Sequence, residues 1–238
     1  MKLTWILFFE GKHIWYGAEN RPDDKVKGKR VKGNIRARFN FEVFKGIKDL
    51  GGQLEYLRNT AMYIDAGSSR IVFAISPTRV IKLAGGMDDS REGEMLEWSR
   101  VGREQNKAEY ELYNDAPGKV KNLLPIVYRG DSNFDWIMSE LVRPLRSDNE
   151  LMELLGLDEQ RYEMFIGTME NDWVDYDDFY RVLNLKQKKI VSNIFYIIDR
   201  YNLDTRDLLN YSQWGKAADG RLVLLDAGGT EEIIRDYY

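Results

Sequence analysis

Between Tyr201 and Gly228 the chain reads YNLDTRDLLNYSQWGKAADGRLVLLDAG. Arg206-Asp207 opens a loop and Gln213-Trp214-Gly215 closes it. Asp219-Gly220 is a strong turn pair between two short arms, and the second arm, Leu222 to Leu225, ends on Asp226. The pattern predicts a small hairpin with the carboxylates Asp207 and Asp226 at its two ends. A carboxylate at the end of an apolar strand joins no aliphatic core. Two such acids converging with an amide, Gln213 or Asn210, repel one another unless a cation lies between them. The plainer alternative is neutralisation of Asp226 by Arg206 or Arg221. Ala227-Gly228 is small enough to let the chain turn beside a ligand.

Outward from this stretch, composition narrows the classes. The chain has 238 residues, 43% hydrophobic, enough for one domain or a two-lobed one with a real core. Its formal charge of −4 argues against a whole-molecule polyanion binder. With no cysteine there is neither a disulfide nor a thiolate metal site, which fits a reducing cytoplasm. The single histidine, His13, excludes multi-histidine metal sites and disfavours Ser-His-Asp chemistry; it is given no role. Apolar runs such as Trp5 to Phe9 are too short to span a bilayer, and the start lacks a signal-peptide layout, so no membrane partner is expected.

Upstream, the pattern places secondary structure. Residues 1–20 read as a hairpin. Residues 25–38, KVKGKRVKGNIRAR, carry seven basic residues and no acid. A solvated loop or lysine-guarded edge is the preferred reading, and a nucleic-acid contact stays open. Phe41, Phe44, Ile47, Leu50, Leu54 and Leu57 fall at helical spacing, with Gly51-Gly52 as the expected break. Residues 62–84 read strand, turn at Gly67-Ser68-Ser69, strand, turn at Pro77, strand. Residues 85–103 read as a loop and 103–114 as a helix. Residues 123–146 read as two strands around 130–133 followed by an extended segment. Residues 148–184 are helical with an acidic run, and 185–201 form the clearest amphipathic helix, with Ile190, Val191, Ile194, Ile197 and Ile198 inward.

The stretch 203–228 resembles the catalytic segment of protein-kinase-like proteins, most of all the small kinase-like proteins of tailed phages, which carry D-L-(x)4-Q/N-W-G…G-R-x-V-L-L-D-Y-G. The resemblance extends over roughly 60–238. It implies an α+β, two-lobed protein-kinase-like fold with an N-terminal extension at 1–60. An N-lobe and hinge follow at 61–142, and a reduced helical C-lobe with the catalytic segment at 143–238. It also implies ATP and Mg2+. Lys82, in Val80-Ile81-Lys82, matches the strand lysine that meets phosphates, and Glu109 is its helix partner. Glu111 lies about 160° away on the helix, so only one of the two glutamates can face inward. The pair is expected in a partly wet cleft and worth little stability. Gly67, Ser68 and Ser69 stand at the phosphate loop, Glu140 and Val142 at the adenine-binding hinge, and Ser139 at the back of that pocket. Asp207 is the catalytic acid, Asp226 the magnesium ligand and Gln213 the second metal ligand.

The sequence also departs from that pattern. Gln213 is one residue later than the usual amide, Thr205 stands where a histidine precedes Arg-Asp, and ten residues follow Gly228. No activation segment or peptide-binding helices are expected. A substrate platform would have to come from 143–184 or the N-terminal extension. The expected activity is phosphoryl transfer to a protein or small-molecule hydroxyl, in a bacterial host cytoplasm, with a host or virion protein as a further partner. Two alternatives stand beside it: a pseudokinase serving as a virion-associated binding module, and a nucleotidyl transferase.

Overall fold

The computed structural model describes residues 3–6, 15–18, 39–67, 69–85, 92–170, 175–203 and 205–225; for 3–6, 15–18, 92–98 and 206–207 it describes the backbone alone. The chain divides into two compact units, residues 1–106 with 128–141 and residues 107–127 with 142–238. The architecture is α+β with antiparallel sheets. Among the described residues no helix is long and apolar enough to cross a membrane.

In the first unit, β1 (Leu3–Ile6) and β2 (Trp15–Ala18) pair antiparallel, as the hairpin pattern predicts. The basic run 25–38 and His13 lie outside the described residues. Helices α1 (Phe41–Gly46) and α2 (Leu50–Thr60) follow. The break between them falls at 47–49, not at Gly51-Gly52. Asp49 caps α2 by accepting from the Gly52 amide at 2.6 Å, and a Cβ on Gly52 would meet Ile47 Cγ2 at 2.9 Å. The glycine therefore lets the first turn close over its cap.

A five-stranded sheet follows, in the order β3-β4-β5-β7-β6. Its strands are β3 (Met62–Ala66), β4 (Arg70–Ser76), β5 (Arg79–Ala84), β6 (Val127–Gly130) and β7 (Trp136–Glu140). One face packs on α1 and α2: Phe44, Leu54 and Leu57 meet Ile71, Phe73, Ile81, Leu83, Trp136 and Met138 in one apolar cluster. Residues 41–60, read from sequence as part of an extension, thus complete the core of this unit. Their apolar positions need a partner and the sheet supplies it.

Helix α3 runs Glu92–Asp115, eleven residues earlier than the pattern of 103–114 implies. Gly93, Gly102 and dense charge hide its first turns from a reading based on apolar spacing. From residue 107 onward α3 belongs to the second unit. There α4 (Gly118–Lys121) is followed by β8 (Arg143–Pro144), α5 (Asp148–Leu155), α6 (Glu159–Met169), α7 (Tyr176–Arg181) and α8 (Leu185–Tyr201). Helix α8 opens on a capping box between Asn184 and Gln187 and buries Val191, Ile194, Ile197 and Ile198, four of the five residues of the expected stripe. Members of the acidic run act as caps: Asp175 accepts from the Asp177 amide to start α7, and Asp178 pairs with Arg181. A one-turn helix α9 (Thr205–Leu208) precedes the hairpin β9 (Trp214–Lys216) and β10 (Leu222–Leu224), which form a three-stranded sheet with β8.

Candidate functional site

Lys82 sits in the middle of β5, opposite Val72 on β4 and Ile137 on β7. Its neighbours Ile81 and Leu83 point into the α1–α2 core. Strand alternation therefore turns Lys82 to the other face, with Val80 and Ala84. That face is not wet, because Lys82 is only 8% exposed. Ser139 pairs opposite Val80, so its hydroxyl lies on the same face, diagonal to Lys82. Ser139 is fully buried, and among the described residues its Oγ has no hydrogen-bond partner.

Glu109 and Glu111 on α3 separate as helix geometry requires. Glu109 is 2% exposed and Glu111 is exposed. The expected wet setting for Lys82 and Glu109 is thus corrected: both side chains are buried.

The turn between β3 and β4 is tied inward. The Gly67 amide donates to the Arg70 carbonyl at 2.9 Å, the Ser69 carbonyl accepts from Gly85 at 2.7 Å, and the Ser69 hydroxyl donates to Gln105 Oε1 at 2.6 Å. Ser68 lies outside the described residues. Gln105, Asn106 and Arg103 were not singled out from sequence. Polar residues on a charged helix look solvated until the sheet they face is known. Asn106 donates to the carbonyls of Phe134 at 2.9 Å and Lys82 at 3.4 Å, and Arg103 meets Asp135 at 2.6 Å. Phe134 holds a φ of +57°, a strained conformation for a bulky residue that Asn106 and the Asp131 turn hold in place. In that turn burial pushes the Asp131 carboxyl up, and the Asp135 carboxylate adds to the shift against the lowering hydrogen bond from the Trp136 amide.

At the expected hinge, Glu140 ends β7 opposite Arg79, and the Leu141 amide donates to the Thr78 carbonyl at 3.0 Å. The boundary between the units falls between Leu141 and Val142. Val142 packs with Ala217 and Val223 in the second unit. A Cβ on Gly215 would meet Val142 Cγ1 at 2.6 Å, which explains the glycine in Trp-Gly: β8 lies directly over it.

In the catalytic-like stretch the loop at Asp207 is a helical turn. The Trp214 indole N–H donates to the Leu208 carbonyl at 2.7 Å, in a buried bond that ties this turn to the hairpin. The Asp207 side chain is outside the description, and so is all of Asp226. Gln213 precedes β9, and its carbonyl accepts from the Leu225 amide at 2.7 Å, with Asp226 next in the chain. Asn210 is the weaker candidate ligand: its Oδ1 already accepts from the Ser212 amide at 3.0 Å. Arg221 is held by Asp219 at 2.6 Å and reaches the Asn122 and Leu124 carbonyls. Among the described residues no three acids or histidines gather as a metal site. Neither a scan of protein-family models nor a search of curated proteins returned a match.

Proposed function

We propose that the chain is a kinase-like nucleotide-binding protein that transfers a phosphoryl group from Mg-ATP to a hydroxyl of a protein or small molecule. In this reading the two units are an N-lobe and a reduced helical C-lobe. One observation carries it: a lysine buried at mid-strand, on the sheet face away from the apolar core, diagonal to a buried hydroxyl. Burying an ammonium is costly, so a fold keeps one where its charge is used. In this reading Lys82 offers a cation to phosphate oxygens, and Ser139 offers a hydroxyl to a polar ring edge.

The remaining roles follow the order of the motifs. The resemblance gives Glu109 the part of the helix glutamate. Asp226 and Gln213 would hold magnesium, which when bound offsets charge on the phosphates. Asp207 accepts a hydrogen bond from the attacking hydroxyl and aims it. Backbone groups at Glu140 and Val142 meet the base. Phosphate recognition then falls to Lys82 rather than the β3–β4 turn, whose Gly67 amide and Ser69 hydroxyl are engaged internally. That same engagement favours a second reading, a pseudokinase that binds a host or virion protein without turnover.

Thermal unfolding with ATP, with magnesium and with both decides between them. A ligand at a hundred times its dissociation constant raises stability by about 2.7 kcal/mol. The expected result is a joint shift, lost in Lys82→Met and Asp226→Asn and kept in Asp207→Asn, which abolishes transfer of labelled phosphate. No joint shift in wild type removes nucleotide binding and leaves the pseudokinase reading.

A further inference from the structure

We propose that Ser69 is a positioning residue that acts through Gln105 to set the rotation of α3, and is not a phosphate ligand. The proposal deepens the nucleotide reading above, which supplies the role of Glu109. Ser69 and Gln105 are 3% and 8% exposed, and the hydroxyl donates to the amide oxygen at 2.6 Å. The helix comes up against the turn itself: a Cβ on Gly102 would lie 2.2 Å from the Ser69 carbonyl oxygen and 2.9 Å from Ala84 Cα. Arg70 Nη1 reaches Asn106 Oδ1 at 3.4 Å, and Asn106 holds the Lys82 and Phe134 carbonyls.

These contacts are directional, and the Ser69–Gln105 bond is short, so they fix both the height and the rotation of the helix, which an apolar seam would leave free to slide. Gln105 and Glu109 are four residues apart and share one face of α3. The rotation that puts Gln105 on Ser69 is the one that buries Glu109 and exposes Glu111. A turn by one residue, about 100°, would carry Glu109 off that face. Whatever moves the turn therefore moves Glu109.

The test combines hydrogen exchange on the ligand-free protein with ATP titration. Ser69→Ala, Gln105→Leu and their double variant are compared with wild type. The latch predicts that amides 105–110 exchange roughly tenfold faster in either single variant, the cost of one orphaned buried partner. The double variant is no faster, and amides of α8 are unchanged. It predicts the same loss of ATP affinity in both single variants, and no further loss when Ser69→Ala is added to Glu109→Gln. Unchanged exchange at 105–110 overturns the proposal. So does an affinity loss in Ser69→Ala that Gln105→Leu does not share, since that marks a phosphate ligand. Full additivity with Glu109→Gln reduces Ser69 to a structural residue and likewise overturns it. If wild type binds no ATP, the nucleotide reading falls, and the exchange data alone decide: shared, non-additive loosening upholds the setting of α3 by Ser69, and independent effects reject it.

Discussion

The two units hold themselves together in different ways. Among the described residues, the buried polar ones other than Glu109, Thr168 and Gln187 lie in the first unit. There Ser69, Arg70, Gln105, Asn106 and Asp135 form a seam between the first half of α3 and the sheet. The second unit is built around a single large apolar cluster in which α8 meets α5, α6 and α7. Apolar burial is strong but non-directional, about 1.5–3 kcal/mol for each fully buried large side chain. Buried hydrogen bonds add only about 1 kcal/mol each, yet they fix orientation. Both units have an apolar core, and the comparison teaches that the first adds a seam of directional hydrogen bonds that the second has less of. The candidate chemistry of Lys82 and Ser139 sits where geometry is fixed.

The largest effect should come from the apolar side. Phe165 is fully buried between Phe179 and Tyr162, with ring centroids 6.1 and 6.3 Å away. Phe165→Ala should cost about 3–5 kcal/mol in urea unfolding. A cost below 1 kcal/mol would mean that this cluster does not dominate the second unit.

A smaller but more local effect is expected in the seam. Gly102→Ala drives a methyl into the Ser69 carbonyl, which is backbone and has little room to yield. It should lower stability by about 1–3 kcal/mol. It should also weaken ATP binding more than Phe165→Ala does at a temperature where both variants are folded. Equal effects on binding would erase the distinction between the two regions.

The smallest effect is electrostatic. Arg143 makes a two-pronged contact with Glu150, at 3.0 and 3.1 Å, joining β8 to α5. The Arg143 hydrogen bonds hold the Glu150 carboxyl below its ordinary range, against the raising effect of burial and with help from the Arg146 amide. A depressed carboxylate contributes stability that is full above its unfolded value and lost as pH falls through the folded one. Glu150→Gln should therefore cost under about 1 kcal/mol at pH 7 and nothing at strongly acidic pH, measured by urea unfolding at both. A cost that persists in acid would assign it to packing instead.

Much of this arrangement was legible in the residues. The 3.6-residue period gave α8 to the residue, and Asp219-Gly220 marked the β9–β10 turn, where Gly220 takes φ +89°. Strand alternation turned Lys82 away from Ile81 and Leu83. The seam was not legible. Gly102, Arg103, Gln105 and Asn106 read as a charged, broken helix start, because nothing local distinguishes a polar residue facing water from one facing a buried carbonyl.

What the sequence determined by itself was the type of most elements and the face their side chains take, since those follow from local periodicity and turn chemistry. What only the tertiary structure decided was which polar groups leave water. It buried Lys82, Glu109 and Ser139, tied Ser69 to Gln105, and made residues 41–60 part of the sheet's core. The physical reason is that burial and hydrogen-bond partnership depend on distant segments, such as Ser69 and Gln105, thirty-six positions apart. No pattern of neighbours along the chain encodes that meeting.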